Sequence, residues 1–272
     1  MPSVQTNGAA HAARAINGGA STLPAVCAEL RRQVLAFLDV PAPDETTKRT
    51  QEQIRISLQV VEEALKRYKF EELSLSYNGG KDCLCLLVLL LACLPTLPTA
   101  SGGKTSTTDG NGDVPRIQAM YIAPPDPFPE MGEFVAQSTR EYHLDLKQYT
   151  MAMRPALDAY LAETPAVRAI FMGTRRTDPY SEHLEHFSPT DAGWPQFMRI
   201  NPMIDWHYVD IWIFLRRLEI PYCNLYNLGY TSLGGTSNTK PNPKLAVDTE
   251  GTTFRPAYDL TRDEDERLGR GR

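Results

Sequence analysis

Residues 73–82 read Leu-Ser-Leu-Ser-Tyr-Asn-Gly-Gly-Lys-Asp, and an apolar run from Cys83 to Leu94 follows at once. The alternating apolar residues predict a short strand, the two glycines a tight turn, and the apolar run a buried helix. This order places backbone N–H groups, Lys81 and Asp82 at a helix N-terminus, where the free N–H groups and the helix dipole favour phosphate. The segment therefore predicts an α/β fold whose first turn handles a nucleotide.

Strand and helix patterns alternate on both sides of this turn. Apolar residues recur at helical spacing over residues 48–69, which predicts an amphipathic helix. Further along we predict strands at 117–122, 144–149 and 167–172 and helices at 128–142 and 154–163. Such alternation implies a parallel sheet with helices on both faces. Because ligands bind at the carboxyl ends of such strands, near the point where strand order reverses, the loops 76–82, 123–129 and 173–179 should converge.

The composition excludes several classes of protein. With 42% hydrophobic and 22% charged residues, the chain of 272 residues has the balance of an ordinary globular protein. A net charge of −5 and a pI near 5.6 argue against broad binding to nucleic acid or anionic membranes. The longest apolar run falls short of the roughly 20 residues that span a bilayer. We therefore expect no nucleic-acid or membrane partner, and a monomer.

The cysteines predict neither a disulfide frame nor a zinc site. No CxxC pair occurs, and three of the five cysteines lie on the predicted buried helix, where they suit small apolar fillers in a reducing compartment. They are Cys27, Cys83, Cys85, Cys93 and Cys223.

Three stretches lack the alternating pattern. Residues 1–20 predict a disordered tail; the lack of acidic residues there is only a faint trace of a mitochondrial transit peptide, so the cytoplasm is the expected location. Residues 96–115, rich in Thr, Ser, Gly and Pro, predict a surface insertion. After Tyr180 one helix stands out at 205–218, with Asp205 as its predicted N-cap. The remainder suits a substrate-binding extension better than a second core.

Two further strings carry chemistry-bearing residues. Gly173-Thr-Arg-Arg-Thr-Asp-Pro179 places two guanidiniums, of Arg175 and its neighbour, beside Asp178, and arginines bind phosphate in a bidentate fashion. A salt bridge in a solvated loop is the alternative for this string. Residues 194–202, Trp-Pro-Gln-Phe-Met-Arg-Ile-Asn-Pro, place aromatic rings next to Arg199, although we expect Phe197 itself in the core.

The first loop is not a Walker P-loop, since GxxxxGK[ST] is absent. It resembles the SxNGGKD variant of the loop with which ATP pyrophosphatases and sulfate-nucleotide reductases cut ATP between its α- and β-phosphates. From about residue 50 onward the chain resembles the eukaryotic, fungal-type FAD synthase (FMN adenylyltransferase) family, of the PAPS reductase-like ATP pyrophosphatase superfamily. The resemblance rests on the strings 76–82, 173–179, 194–202, 229–235, 241–243 and 266–270.

The resemblance implies a single domain over residues 21–272. Its ATP-binding part, 21–178, would be a three-layer, parallel-sheet core of the adenine-nucleotide alpha-hydrolase (Rossmann-like) type, and 179–272 an irregular flavin-binding extension. ATP would meet Ser76, Tyr77, Asn78, Gly79, Gly80, Lys81, Ile122 and Gly173. FMN would meet Arg175, Asp178, Asp191, Trp194, Arg199 and Arg267. The catalytic set would be Asp178, Asp82, Lys81 and Arg267, with Asp82 also the expected ligand of Mg²⁺.

The implied reaction is attack of the FMN phosphate on the α-phosphorus of ATP, which gives FAD and pyrophosphate. A phosphoadenylyl-sulfate reductase is one alternative, disfavoured because no cysteine follows Cys223 to serve as a C-terminal nucleophile. A tRNA-thiolating pyrophosphatase is disfavoured because cysteine pairs and a basic surface are missing. A non-catalytic flavin- or nucleotide-binding protein is a further alternative. The family often has a polar residue where this chain has Ala123-Pro124-Pro125, so the adenine contact there stays open.

Overall fold

The fold was obtained as a computed structural model, which describes residues 22–94, 116–249 and 251–271. The predicted tail, 1–20, and the predicted insertion, 96–115, lie outside the described residues. The helices of the described parts are α1 (Leu23–Asp39), α2 (Glu45–Arg67), α3 (Lys81–Cys93), α4 (Pro129–Glu141), α5 (Met153–Glu163) and α6 (Tyr208–Arg217). The strands are β1 (Leu73–Ser76), β2 (Ile117–Ile122), β3 (Leu144–Tyr149), β4 (Ala169–Phe171), β5 (Phe187–Pro189) and β6 (Met198–Ile200).

The strands form one six-stranded sheet in the order β3-β2-β1-β4-β6-β5. All neighbours pair in parallel except β5 and β6, which form an antiparallel edge. The chain moves outward in one direction from β1 to β3 and then crosses back to place β4 on the other side of β1. The strand order therefore reverses between β1 and β4, and the loops after these two strands meet at that point.

Helices cover both faces of the sheet, as the alternation predicts. The larger core joins α1, α2, α3, α4 and α6 to one face, whereas α5 closes the other through a smaller cluster that includes Tyr160 and Phe197. Helix α3 is apolar all round because it lies in the middle of the larger layer, and Leu84 to Leu89 are all fully buried. The three-layer α/β fold is confirmed.

Most predicted elements are confirmed to within a few residues, but the structure corrects three points. Helix α6 begins at Tyr208 with His207 as its N-cap; Asp205 caps nothing and pairs instead with Arg176, Oδ1 to Nε 2.7 Å. Helix α1 and the β5–β6 edge were not predicted from the sequence. Leu30 and Val34 of α1 are buried against α3, and the local sequence pattern does not predict this long-range contact.

The segment after α6 consists of short 3-10 turns between Asn224 and Asp265. Its apolar residues Leu225, Leu245 and Ala257 belong to the larger core rather than to a core of their own. Within the described residues, no helix combines the length and the apolar character that a bilayer crossing requires.

Candidate active site

The loop between β1 and α3 is held in one conformation by its neighbours. Gly79 has a φ of +72°, and a Cβ there would lie 2.7 Å from Cγ2 of Val135, so only glycine fits. The Asn78 side chain accepts a hydrogen bond from the Gly80 N–H at 2.8 Å, which closes the turn. The Lys81 N–H donates to the hydroxyl of Tyr226 at 2.9 Å, so the C-terminal extension supports the start of α3 directly.

Two of the three loops predicted to converge pack directly against each other, and the third is bonded to the C-terminal extension. A Cβ on Gly173 would lie 3.0 Å from the Cys83 nitrogen, so the loop after β4 packs against the first turn of α3. The loop after β2 is tied to the extension by Asp126, whose carboxylate accepts from the Ser237 N–H at 2.6 Å. This bond and one from Thr236 lower the pKa of Asp126. Asp126 is a polar residue directly after Ala123-Pro124-Pro125, but its carboxylate is occupied by hydrogen bonds from Thr236 and Ser237 of the protein itself.

Four charged side chains form a buried ion cluster beneath the loop: Lys81, Asp82, Arg175 and Glu266. The ammonium of Lys81 lies 2.5 Å from Glu266 Oε1 and 3.0 Å from Asp82 Oδ2. The guanidinium of Arg175 reaches Glu266 Oε2 at 2.5 Å and Asp82 Oδ1 at 2.7 Å. The Lys81 and Arg175 side chains are only 2% and 1% exposed. Two cations and two carboxylates thus alternate in a closed ring.

The pKa shifts follow from this alternation. Burial alone would lower the pKa of Lys81, but Asp82 and Glu266 outweigh burial and raise it well above its ordinary value. Burial acts to raise the pKa of Asp82, yet Arg175 and Lys81 together hold it below the usual range. Lys81 and Asp82 are therefore each held in the charged form by their partners.

Asp178 stands beside this cluster and differs from it. One of its oxygens accepts from the Arg175 N–H at 2.9 Å, and the other lies 3.9 Å from Nη1 of Arg267. Burial and the negative charge of Asp82 raise the pKa of Asp178. With its side chain 28% exposed, Asp178 is a partly accessible carboxylate, and the cation nearest its Oδ1 is a loose partner.

Two arginines of the C-terminal turn face the same region. The Arg267 side chain is 48% exposed, and Arg270 lies over Gly234, where a Cβ would come within 2.3 Å of its guanidinium. Burial and the neighbouring Arg267 lower the pKa of Arg270. Two like charges placed together on this turn suit a polyanionic ligand.

The residues predicted to meet ATP divide into loop and core positions. Asn78 is exposed and Ser76, Gly80, Ile122 and Gly173 are half-buried at the carboxyl edge of the sheet. Tyr77 instead belongs to the core. It is fully buried, its hydroxyl donates to Ser138 Oγ and its N–H to the Met120 carbonyl, so its side chain is withdrawn from any ligand at the loop.

The residues predicted to meet the flavin lie at two opposite ends of the strands. Asp191 and Trp194 are exposed in the β5–β6 turn, which precedes β6, and Arg199 anchors that turn by donating to the Pro189 carbonyl at 2.7 Å. Asp178 follows β4, and β4 and β6 are parallel. The two groups therefore lie in loops at opposite ends of the sheet, whose strands here are about 10 Å long. A ligand that touches both must be elongated.

Asp82 does not fit the predicted magnesium site in this arrangement. Both of its oxygens already face cations, at 2.7 and 3.0 Å. Among the described residues, no group of three or more His, Cys, Asp or Glu side chains is arranged to hold a metal ion. Asp178 differs, since the nearest cation to its Oδ1 is the guanidinium of Arg267 at 3.9 Å.

Sequence reasoning missed several residues of the site. Glu266 ends the acidic run Asp263-Glu264-Asp265-Glu266, which has the pattern of a solvated surface, yet it is 6% exposed. Tyr226 and Asp126 act through contacts with distant segments. No local signal separates any of these from ordinary surface or core residues. Glu266 stands out only as the first residue of the string 266–270, one of those on which the family resemblance rests.

The sequence matches a known family model and several known proteins. A family model described as "Phosphoadenosine phosphosulfate reductase domain" matches residues 72–162 and 150–241. A protein named "Probable FAD synthase" from Schizosaccharomyces pombe is 40% identical over 229 residues, which cover 84% of this chain and 83% of that protein. The chain belongs to the FAD synthase family.

Solved structures agree with this assignment. The crystal structure of Candida glabrata FMN adenylyltransferase with FAD and inorganic pyrophosphate superposes with a TM-score of 0.83 at 27% identity, over 93% of this chain and 99% of that one. The same yeast enzyme with FMN and the ATP analogue AMPCPP gives a TM-score of 0.82 at 27% identity, over 92% and 100% of the two chains. Reductases are more distant: the Shewanella oneidensis phosphoadenosine 5'-phosphosulfate reductase is 29% identical over 47% of this chain and 61% of its own.

Proposed function

We propose that this protein transfers the AMP group of ATP to FMN, giving FAD and pyrophosphate. The observation that carries the proposal is the meeting of the 76–82 loop, Asp178 and Arg267 at the reversal of strand order. The same architecture, in a family member similar over 93% of this chain, is solved with FAD and pyrophosphate together. Substrates ATP and FMN and product FAD follow from that family.

The ATP side of the site is the loop at the mouth of α3. Its glycine backbone and the start of the helix offer N–H groups and a positive dipole end to the phosphates. Ile122, half-buried at the end of β2, lies where it can pack against the adenine. Because the ammonium of Lys81 is enclosed by two carboxylates, we assign it to holding the loop's base, and we assign charge neutralisation of pyrophosphate mainly to Arg267 and Arg270.

The FMN side of the site is elongated, because the residues predicted to meet the flavin lie at opposite ends of the sheet. FMN consists of a planar ring system joined to a phosphate by an extended ribityl chain. Its phosphate would lie near Asp178 and Arg267, and its ring would extend toward Trp194 and Asp191 at the other end. This direction lets one molecule touch both predicted groups.

The chemical step needs no general base. A phosphate monoester has a second pKa near 6, so the FMN phosphate is already mostly ionised at neutral pH. Its oxygen attacks the α-phosphorus, forming the new P–O bond as the bond to the pyrophosphate oxygen breaks. The task of the protein is to hold two polyanions in line and to offset their repulsion, which positioned arginines and helix N–H groups do.

We further propose that Mg²⁺ accompanies ATP, with Asp178 rather than Asp82 as the carboxylate that would hold it. The partial exposure of the Asp178 carboxylate supports this choice, and the cation would neutralise charge on the phosphates. Chelation of divalent cations should abolish FAD formation, and addition of excess Mg²⁺ should restore it. Full turnover in a chelator would remove Mg²⁺ from the proposal while leaving the adenylyl transfer standing.

Cellular setting is part of the proposal as well: a cytoplasmic monomer. A reducing compartment suits the free cysteines, since burial raises the pKa of the Cys27 and Cys83 thiols to about 12, which keeps them protonated and unreactive. Sedimentation of the purified protein and imaging of a tagged form test the two statements.

A turnover assay tests the function directly. The protein is incubated with FMN, ATP and Mg²⁺, and FAD and pyrophosphate are followed together; we expect them to appear in equal amounts. Tight FMN binding without any FAD would favour a non-catalytic flavin-binding protein instead. The reductase alternative is tested by release of sulfite from phosphoadenylyl sulfate, which we expect to be absent because Cys223, the last cysteine, is buried and its pKa is raised.

A further inference from the structure

We infer that Glu266 is a positioning residue for the adenylyl transfer: it fastens the C-terminal turn to Lys81 and Arg175 and thereby sets the place of Arg267. The inference rests on the proposed function for its kinetic readout, and it has a second readout that does not depend on activity. Glu266 itself is enclosed and makes no part of the solvent-facing opening.

The contacts of Glu266 join three separate segments of the site. One carboxylate oxygen lies 2.5 Å from Lys81 at the start of α3, and the other lies 2.5 Å from Arg175 in the loop after β4. The Glu266 backbone carbonyl accepts from the Thr231 hydroxyl at 2.6 Å. Asn242 holds that hydroxyl at 2.9 Å and the Asp265 carbonyl at 2.8 Å. Both the side chain and the backbone of Glu266 are therefore fixed.

Charge explains why the turn matters more than the cluster for an incoming phosphate. Lys81 and Arg175 are matched within the cluster by Asp82 and Glu266, so little of their positive charge is left for a ligand. The next residue, Arg267, points the other way, with its side chain 48% exposed and its guanidinium 3.9 Å from Asp178. A shift of Glu266 must move Arg267 with it, since the two are adjacent in one turn.

A purely structural role is the competing explanation. A buried salt bridge is weak evidence for a gain in stability, and breaking one by removing a single partner destabilises a protein whatever its function. The two explanations differ in what happens to Arg267. If Glu266 acts through Arg267, removing Glu266 costs nothing further once Arg267 is gone.

The experiment compares Glu266→Gln with Glu264→Gln. Glu264 is two residues away and exposed, and its ion-pair partner among the described residues is Arg262, so it is a matched control. In Glu266→Gln we expect kcat to fall about 100-fold, the loss typical of a misplacement near 1 Å, with the KM for ATP changed much less. Adding Arg267→Ala should leave the double variant within about twofold of Arg267→Ala alone, because contacts that act as a unit are not additive. Equal kcat in Glu266→Gln and Glu264→Gln, or fully additive losses, would overturn the inference.

Hydrogen exchange supplies the readout that is independent of turnover. Amides of residues 266–271 should exchange about tenfold faster in Glu266→Gln than in Glu264→Gln, because this end of the turn opens locally once the Glu266 contacts are lost, whereas Asp263 still holds its start against His207 and Tyr208. Unchanged exchange in Glu266→Gln overturns the inference even if activity falls. A wild-type protein that makes no FAD contradicts the proposed function, and the exchange result then still decides for or against the anchor.

A second variant covers the case in which Glu266→Gln does not fold. Glu266→Asp keeps the negative charge but is one methylene shorter, so it cannot reach Lys81 and Arg175 at the same distances. We expect it to fold and to show the same split, a lower kcat with a nearly unchanged KM for ATP. Wild-type kcat in Glu266→Asp, together with wild-type exchange in the turn, would contradict the inference.

Discussion

The sheet core and the C-terminal extension build one site by different means. The elements from β1 to β4 are regular strands and helices whose loops are placed by topology, whereas the described residues after α6 form short 3-10 turns held by individual side-chain contacts. Both bury apolar residues in the same core; Leu75 and Leu245 are equally inaccessible. The difference is that the core provides the geometry of the loop and the extension provides the charges that close over it. Changes in the core should therefore alter stability first, and changes in the extension should alter turnover first.

The strongest test of the junction between the two regions is Lys81→Ala. The change removes a cation buried between Asp82 and Glu266, and breaking such a pair leaves uncompensated buried charge, so the free energy of unfolding should fall by about 3–5 kcal/mol. Urea unfolding measures this. Lys147→Ala is the control: it removes an exposed pair with Glu163, 3.0 Å apart, and should cost less than about 1 kcal/mol. Similar losses in the two variants would show that the cluster does not join the regions.

Asp178→Asn should separate turnover from stability. Without the carboxylate beside Arg267, kcat should fall about 10²- to 10³-fold, the range for losing one electrostatic contact at a reacting centre. Because burial and Asp82 raise the pKa of Asp178, its ionised form is disfavoured in the folded protein, and the neutral amide should not lower the melting temperature. Asp158→Asn, exposed on α5, should change neither quantity. Loss of stability with unchanged kcat would reverse the assignment of Asp178.

Two glycines of the sheet region, one in the loop and one on helix α4, test how strictly the conformation of the loop is imposed. Gly79→Ala meets a positive φ and a contact of 2.7 Å with Val135, and should destabilise the protein by about 2 kcal/mol. Gly132→Ala lies within α4, where an added Cβ meets nothing within 4 Å, and should stabilise it by about 0.5–1 kcal/mol. Melting temperatures of the two variants should move in opposite directions. A tolerated Gly79→Ala would mean that the loop is not held as the structure has it.

The smallest expected effect is a change in the free energy of unfolding at acidic pH. The pKa of Asp82 is held below the ordinary Asp value of about 3.9, so its contribution to stability is complete above that pH and is lost as the pH falls toward the lower, folded-state pKa. The difference in unfolding free energy between the wild type and Asp82→Asn should therefore shrink below about pH 4. Asp178→Asn should show the opposite dependence, because the pKa of Asp178 is raised. A difference for Asp82→Asn that stays constant with pH would show that its ion pairs do not set its pKa.

Local sequence patterns predicted the regular parts of the fold well. The strand at 117–122 and the strand at 144–149 match the structure residue for residue, because periodicity and turn residues act over short distances. The same reasoning misplaced the start of α6. An aspartate near a helix start suggests a cap, but Asp205 is drawn away by Arg176, and Asp210 supplies the carboxylate that accepts from the His207 N–H at 2.7 Å. A competing long-range partner decided the outcome.

The site shows the same division. The glycine turn at the mouth of α3, the contact between the loops after β1 and β4, and the family could all be predicted from the sequence, because they depend on the order of residues along the chain. Three features could be read only from the fold: Lys81 faces Glu266, Asp82 lies against two cations, and the turn with Asp191 and Trp194 lies at the opposite end of the sheet from the loop after β4. The physical reason is distance along the chain: Lys81 and Glu266 are 185 residues apart. Charges that far apart are matched only when the fold buries them together, and no local pattern records that match.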